Sequence, residues 1–326
     1  MPPRVDVLFV SLGGTTGLVE ADEELAGSLR RAGATVAVVR AARVREWRTF
    51  ALIELAWAVS ARRAAAAGIR EHDPRAVLYS STTAALLWPR PGAVRFDAPA
   101  AGNRPGRHGV WQRPVERRRL RAAPLLLPWS AQALGEAPPH GPAVVLPVPV
   151  EPSGPPVPRA QRDLAAVTYG ANPHKKGLDR VLAAWADARR PDEELVVAGL
   201  AGEDRPGVRF AGRLPRDAYR ALVRRARVFL TAPRREDHGI AQLEALADGA
   251  VLVTTPSPGP YAALAIARAI DPRTVAQDLR PAIRAALDDP RADHAEQAAR
   301  ALAPLRRDAV DALVRDEVLP RLLAGS

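Results

Sequence analysis

The residues HKKG, at positions 174–177, contain both lysines of a chain whose other cationic side chains are all arginine. They follow LAAVTYG, which is typical of a buried strand, and precede LDRVLAAW, which is typical of a helix. Such a turn offers backbone N–H groups and the positive end of a helix dipole to an anion. A lysine ammonium is a mobile point charge, whereas arginine imposes a rigid fork. We therefore predict that Lys176 contacts a diphosphate; the alternative is the start of an exposed helix.

A second candidate group lies in APRREDHGIAQLEALADG, where two glutamates are separated by seven residues. Glu236 lies in a predicted loop, and Glu244 lies one or two turns into a helix predicted to begin near Gly239. Carboxylates accept paired hydrogen bonds from vicinal hydroxyls, such as those of a sugar or a ribose. We expect the amides of His238, Gly239 and Ile240 to point at an anion.

The elements that must position these residues alternate between strand and helix along two halves of the chain. Nearly continuous apolar strands such as VDVLFVSL and ELVVAGL predict parallel sheets covered on both faces. Prolines are dense near the middle of the 326 residues, which predicts a boundary. We predict an N-terminal Rossmann-like acceptor-side domain, a proline-rich linker, a C-terminal Rossmann-like donor domain and a final helix packing back on the first domain, over residues 1–150, 151–162, 163–303 and 304–326.

Two doubly wound domains of this kind are expected to face each other across a cleft, because open parallel sheets bind ligands at the carboxyl ends of their strands. Asp97, at the end of a predicted strand, and His108, in a glycine-rich loop, are candidates for the acceptor side of that cleft. The alternatives are a capping or loop role for Asp97 and a surface position for His108.

Composition excludes several classes of site. The chain has no cysteine, so disulfides and thiolate metal sites are absent, and its histidines show no metal-ligand spacing. SLGGTTG lacks both the dinucleotide fingerprint and the P-loop lysine. No signal peptide or membrane span is visible, which predicts a cytoplasmic protein.

The net charge of +11 comes from arginines spread along the chain without an aromatic platform, so no nucleic acid is expected as a partner. The densest basic run is QRPVERRRLRAA, from 112 to 123. It is interpreted as a solvated helix face, with a patch for phosphate or anionic lipid headgroups as the alternative. Salt-sensitive nucleic-acid binding at this helix is a third, weaker hypothesis.

The order KKG, LVVAGL, VRFAGRLP, the two-glutamate segment and SPGP closely resembles the donor-binding half of the family 4 glycosyltransferases, which are retaining enzymes of the GT-B fold. The resemblance extends from Ala165 to about Leu287. It is looser over the first 150 residues, where SLGGTTG resembles the family's glycine loop.

The resemblance implies roles for individual residues. Lys176 would contact the diphosphate, Glu236 a hydroxyl of the transferred sugar, and Glu244 the ribose of the nucleotide. The loop glycines would close on the donor from the opposite domain, and the backbone of two further residues would lie near the base; these are Gly13, Gly14, Arg213 and Leu214.

The chain departs from the family pattern at two places. Ala171 stands where the family usually has an arginine, and residues 80–82 stand where it has a histidine. Losing one diphosphate cation costs about 2–4 kcal/mol of leaving-group stabilisation unless another cation replaces it. Lys175, His174 and Arg180 are the candidates for replacement.

Together with these residues, the resemblance implies a retaining, hexosyltransferase-like glycosyltransferase that uses a nucleotide sugar and needs no metal or other cofactor. The acceptor is unidentified, with lipid-linked and polysaccharide acceptors as the candidates. Peripheral contact with an anionic inner membrane face is a further hypothesis, motivated by the basic helix and by the lipid-linked acceptors common in the resembled family. The alternative is a catalytically silent nucleotide-sugar-binding protein of the same fold, which the missing arginine permits.

Overall fold

The computed structural model describes residues 4–14, 16–44, 49–104 and 106–324. The chain divides into two compact units, which are Met1–Pro149 with Arg307–Ser326, and Val150–Arg306.

The proline-rich residues 151–162, predicted as a separate linker, belong to the second unit. Polar contacts explain this assignment. The Ser153 N–H donates to the Asp248 carboxylate at 2.7 Å, and the Arg162 guanidinium donates to the Ala226 carbonyl at 2.9 Å. Prolines extend this segment, but hydrogen bonds hold it against the second unit.

In its described residues, the first unit contains five strands and six α-helices before the chain leaves it. In chain order they are β1 (Val7–Ser11), α1 (Thr16–Arg31), β2 (Val36–Arg40), α2 (Phe50–His72), β3 (Ala76–Tyr79), α3 (Thr82–Ala85), β4 (Ala93–Phe96), α4 (Ala100–Asn103), α5 (Gln112–Ala122), β5 (Leu126–Pro128) and α6 (Ala131–Gly135). All strand pairs are parallel, in the order β2-β1-β3-β4-β5.

Side chains of β1 alternate between the two faces of this sheet, as the pleat requires. Leu8 and Val10 belong to one apolar cluster, and Val7 and Phe9 belong to another. All four side chains are fully buried. Burial on both faces explains why the strand reads as a continuous apolar run.

The second unit repeats this architecture. Its elements are β6 (Leu164–Tyr169), α7 (Pro173–Lys176), α8 (Leu178–Ala188), β7 (Leu195–Ala198), β8 (Val208–Gly212), α9 (Arg216–Arg225), β9 (Ala226–Thr231), α10 (Ile240–Ala247), β10 (Val251–Thr254), α11 (Ala262–Ile270), α12 (Leu279–Asp288) and α13 (His294–Leu302). Its parallel sheet has the order β10-β9-β6-β7-β8. The prediction of two parallel sheets with helices is therefore confirmed.

The C-terminal segment consists of α14 (Arg307–Leu313), a π-helical turn (Val314–Val318) and α15 (Leu319–Ala324). Its buried side chains recur every four residues and join the cluster that contains Val7 and Phe9; they are Val310, Val314, Val318 and Leu322. The segment from Arg307 thus covers one face of the first sheet, whereas residues 304–306 belong to the second unit. Among the described helices, none combines the length and apolar character needed to cross a bilayer.

One tight turn sets the geometry between β6 and α8. Gly177 ends α7 with φ 62° and ψ 39°, in the left-handed region. A Cβ atom at this position would lie 1.9 Å from the Ala232 carbonyl oxygen. Both the conformation and the contact require glycine.

We predict that Gly177→Ala lowers the free energy of unfolding by about 2 kcal/mol or more, because it adds left-handed strain to a backbone clash. Gly135→Ala is the control, since its Cβ would meet nothing within 4 Å, and its effect should stay within about 0.5 kcal/mol. Urea denaturation measures both. Equal midpoints for the two variants would contradict the prediction.

Candidate functional site

The HKKG turn is fastened to the loop that follows β9. The Asn172 side chain caps α7 by accepting from the Lys175 N–H at 3.1 Å. Arg234, in the loop, donates its N–H to the Lys175 carbonyl at 3.0 Å and its guanidinium to the His174 carbonyl at 2.8 Å. The same guanidinium pairs with Asp179 at 2.7 Å. Turn and loop are thereby joined through both backbone and side chains.

Two consecutive lysines meet two consecutive carboxylates in register. Lys176 Nζ lies 2.5 Å from Glu236 Oε2, and Lys175 Nζ lies 2.9 Å from Asp237 Oδ2. The Glu236 side chain is 6% exposed and that of Lys176 is 20% exposed. The structure therefore brings together Lys176 and Glu236, which sequence reasoning had placed in separate motifs.

The Glu236 carboxylate has a second donor and a fixed backbone. Gln242 Nε2, on α10, donates to Glu236 Oε2 at 3.0 Å. The Glu236 N–H donates to the Pro258 carbonyl at 3.1 Å. Gly259 has φ 108°, and a Cβ there would lie 2.2 Å from the Glu236 carbonyl oxygen. The SPGP motif thus holds the backbone that carries this carboxylate.

Asp237 is a site residue that sequence reasoning missed. Burial raises the pKa of its carboxyl, but Lys175 and Arg235 together outweigh that effect and hold the pKa below its ordinary value of 3.8. Arg235 Nε lies 2.8 Å from Asp237 Oδ1. The sequence signal for this second pairing was that one motif contains two adjacent lysines and the other contains two adjacent carboxylates.

Helix α10 begins directly after this charged loop. Gly239 precedes it with φ 87° and provides no side-chain cap, and a Cβ there would lie 2.7 Å from Tyr261 Cε2. His238 is buried, at 4% exposed, and Ile240 is the first helical residue. The N–H groups of a helix's first turn are not used within the helix. The unused N–H groups at the start of α10 therefore lie close in sequence to Glu236. Such N–H groups are the part of a helix that binds anions.

Glu244 belongs to a different network. Its Oε1 accepts from Arg216 Nη2 at 2.7 Å and from Arg220 Nη1 at 3.1 Å. Arg220 Nε also donates to Asp248 Oδ2 at 2.8 Å. Glu244 lies two residues beyond Gln242, roughly 200° around the helix axis. Glu244 is therefore buried against arginines of α9, while Glu236 is held by Gln242 and Lys176.

The two arginines of α9 were not predicted as site residues. Arg216 and Arg220 are four residues apart, as are Glu244 on α10 and Asp248 directly after it. Matching spacing of cations and carboxylates on two successive helices is a signal that could have suggested the pairing. The pKa of Arg220 is raised: burial acts to lower it, but Asp248 and Glu244 outweigh burial.

The remaining donor-side candidates lie in loops of the second unit. Arg213 is exposed and Leu214 is half-buried, between β8 and α9. Leu214 packs against the apolar cluster of that unit. Ala171 is exposed in the turn before α7.

The glycine loop lies in the first unit, after β1. Gly13 has φ 67°, and Gly14 is exposed. The preceding Leu12 N–H donates to Ser80 Oγ at 3.0 Å. Ser80 is thus one of the three residues found where the family has a histidine, and it fixes the start of the glycine loop.

A buried ion pair lies beneath this loop. Asp22 Oδ2 accepts from Ser11 Oγ at 2.6 Å, and Arg95 Nη1 lies 3.3 Å from Asp22 Oδ1. Burial raises the pKa of Asp22, although Arg95 and the Ser11 hydroxyl oppose the shift. Burial lowers the pKa of Arg95 to about 10. Asp22 thus connects α1 to the end of β1 through Ser11 and to β4 through Arg95.

The two acceptor-side candidates lie in the first unit, after β4. Asp97 follows β4 directly, and its Oδ1 accepts from the Ala98 N–H at 2.8 Å, so its acceptor-side role stays a prediction. His108 lies in the 3-10 turn Gly106–Gly109, and its side chain lies outside the described residues. Among the described residues, no group of three or more His, Asp or Glu side chains is placed to hold a metal ion.

Comparison with known proteins locates a family match in the second unit. Residues 156–302 match the model of the group 1 glycosyl transferases. The matched stretch contains Lys176, Glu236 and Glu244. No curated protein matches the chain.

Solved structures resemble the whole chain. They include WaaG, a glycosyltransferase involved in lipopolysaccharide biosynthesis, with a TM-score of 0.67 and 18% identity over 94% of this chain and 98% of that one. Sucrose-phosphate synthase from Thermosynechococcus elongatus has a TM-score of 0.68 and 15% identity over 100% of both chains. Anabaena HepE, in complex with UDP and glucose, has a TM-score of 0.66 and 13% identity over 97% of this chain and 99% of that one.

The predicted GT-B fold, with two Rossmann-like α/β domains, is confirmed by these likenesses. The family match over the second unit and the shared fold support a glycosyltransferase. The identities are too low to indicate a donor or an acceptor.

We predict that Asp237→Asn lowers the free energy of unfolding by about 1–3 kcal/mol at pH 7, because it leaves Lys175 and Arg235 without their carboxylate. A carboxyl whose pKa is lower in the folded than in the unfolded protein stabilises the fold above the unfolded value. That contribution is lost as the pH falls through the folded pKa. The difference from the unchanged protein should therefore shrink below about pH 4.

Urea denaturation between pH 7 and pH 3 measures this difference. Asp192→Asn, at an exposed turn of the same unit, is the control and should change stability little at any pH. A difference for Asp237→Asn that is equally large at pH 7 and pH 3 would show that the carboxylate charge is not its cause.

Proposed function

We propose that this protein transfers a sugar from a nucleoside-diphosphate sugar to an acceptor hydroxyl, with retention at the anomeric carbon and without a metal ion. The observation that carries the proposal is the 2.5 Å contact between Lys176 and Glu236, beside the start of α10. In this contact the Lys176 ammonium meets a carboxylate that lies four residues before the first residue of α10. A diphosphate that carries a sugar requires an ammonium, a carboxylate and a helix amino terminus as partners.

Catalysis would depend on charge stabilisation. As the bond between the sugar and the diphosphate breaks, negative charge grows on the departing diphosphate. The Lys176 ammonium and the first-turn amides of α10 would stabilise that charge, since preorganised donors lower the barrier without reorganisation. No metal ion would then be needed. The leaving phosphate itself would take the proton of the acceptor hydroxyl, as the family resemblance implies.

The carboxylates would orient the donor. Glu236 would accept a hydrogen bond from a hydroxyl of the transferred sugar, and Glu244 would accept from the ribose. Arg216 and Arg220 already hold Glu244 Oε1, at 2.7 and 3.1 Å. These contacts hold the carboxylate in one orientation, so donor binding would cost it little conformational entropy.

A second candidate function is a silent nucleotide-sugar-binding protein. The observation that favours it is Ala171, at the place of the family arginine, in a turn where Lys175 is already paired with Asp237. A site with one cation fewer would bind a donor but stabilise the leaving group less.

A thermal-shift screen across nucleotide sugars identifies the donor, because a ligand that binds the native state raises its stability. Transfer and donor hydrolysis are then measured with the best ligand. Product with a retained anomeric configuration supports the enzyme. Binding without any turnover supports the silent protein, and no shift with any nucleotide sugar contradicts both.

With that donor, we predict that Lys176→Ala lowers kcat by about 100-fold, because one stabilising charge is lost in the transition state. Glu244→Ala should raise the donor KM by about tenfold with a smaller change in kcat, since ribose contacts are made equally before and during the reaction. Arg280→Ala, at an exposed position on α12, is the control. Steady-state kinetics unchanged in both site variants would reject the assignment.

A further inference from the structure

The first unit contains a cavity of about 920 Å³ beside α5. This is the helix whose basic run the sequence interpretation treated as a solvated face. Four of its arginines line the cavity, residues 136–138 form part of the lining, and Pro99 and Ala101 lie just beyond the carboxyl end of β4. The four are Arg113, Arg117, Arg118 and Arg121.

Within the described part of the chain, no carboxylate forms an ion pair with these guanidinium groups. Arg113 donates to the Gly106 carbonyl at 2.9 Å, which is a neutral acceptor. Over the described ranges, no hydrogen bond or ion pair engages the side chains of Arg117, Arg118 and Arg121. Elsewhere arginines commonly pair with carboxylates, as Arg220 does with Glu244 and Asp248.

The spacing of these arginines is unfavourable for the helix alone. Arg113, Arg117 and Arg121 repeat every four residues, so their like charges lie on one stripe of α5. Like charges at this spacing cost an isolated helix about 0.2–0.5 kcal/mol per pair. An anion bound in the cavity would turn this repulsion into attraction.

Two carboxyl groups also line the cavity. Glu116 is buried, at 3% exposed, and its Oε1 accepts from the Ala100 N–H at 2.6 Å. Burial raises the pKa of Glu116 to about 7, against the opposing effects of Thr82 and the Ala100 N–H. Glu136 is half-buried. Two carboxyls cannot neutralise four guanidinium groups, so the cavity is electropositive.

We propose that this cavity binds the phosphate group of a phosphorylated acceptor, an assignment that rests on the proposed glycosyl transfer. Guanidinium groups bind phosphate oxygens through paired, charge-assisted hydrogen bonds. The volume is within the range of small-molecule sites, about 300–1,000 Å³. Pro99 and Ala101, beyond the end of β4, connect the cavity to the sheet edge at which parallel sheets bind ligands.

The lining of the cavity argues against binding of a nucleic-acid strand. Among the described side chains, no aromatic one lines the cavity, and sequence-independent binding of single strands relies on bases stacked on aromatic rings. The phosphate could belong to a soluble phosphomonoester or to a lipid headgroup. These two sources share the chemistry that the arginines recognise.

The test measures binding without any donor, so its outcome does not depend on glycosyl transfer. Isothermal titration at about 150 mM salt, near the physiological ionic strength, compares glycerol 3-phosphate with glycerol. Flotation compares vesicles of phosphatidylglycerol with vesicles of phosphatidylcholine. The test variant combines Arg117→Gln with Arg121→Gln. The control combines Arg63→Gln with Arg70→Gln, which removes the same charge from exposed positions on α2.

We expect at least one phosphate probe to bind while its neutral counterpart does not, and the test variant to weaken that binding by about tenfold or more. The control variant should bind as the unchanged protein does. Preference for glycerol 3-phosphate would identify a soluble acceptor, and preference for vesicles would identify a lipid one.

Failure of both phosphate probes to bind would overturn the proposal. So would equal weakening in the test and control variants, or binding of random DNA that exceeds binding of both phosphate probes. Thermal melting of each variant checks that it is folded. Loss of glycosyl transfer with intact phosphate binding would count against the proposed function and leave this site standing.

Discussion

The contact between the Lys176 ammonium and the Glu236 carboxylate is the interaction on which the candidate site depends. An approach of 2.5 Å, with Glu236 almost fully buried, requires two loops to be held closely together. Gly177 permits the lysine turn to approach the loop after β9, and Gly259 permits the SPGP segment to pack on the same loop, since a Cβ at either position would overlap a backbone carbonyl of that loop. The pairing of Lys175 with Asp237 fixes the register of the same two loops.

Under the proposed function, donor binding would replace the partner of each charged group in this ion pair. A buried charge is costly unless it is paired, so Lys176 compensates the buried Glu236 carboxylate when no donor is bound. A diphosphate would compete for the ammonium and would leave the carboxylate to the sugar hydroxyl. A mobile lysine suits such an exchange better than the rigid fork of arginine, which would account for lysine at position 176 in an otherwise arginine-based chain.

Much of this organisation could be predicted from the sequence, because apolar strands such as VDVLFVSL and glycine-marked turns are local signals. Lys176 and Glu236 were each identified by residue type and position. Their contact was not, because it joins residues sixty positions apart. The arginines that bind Glu244, and the role of Asp237, likewise depend on side-chain packing. The proline-rich segment was assigned as a linker because composition does not reveal its hydrogen bonds to the second unit.

The most direct measurement uses the two lysines themselves. Selective ¹⁵N-lysine labelling yields side-chain NMR signals from Lys175 and Lys176 alone, and Lys176→Arg assigns them. Titration with a nucleoside diphosphate should shift the Lys176 Nζ signal as the ammonium leaves Glu236, while the Lys175 signal, held by Asp237, changes little. An unchanged Lys176 signal at a diphosphate concentration that stabilises the protein would contradict the central claim.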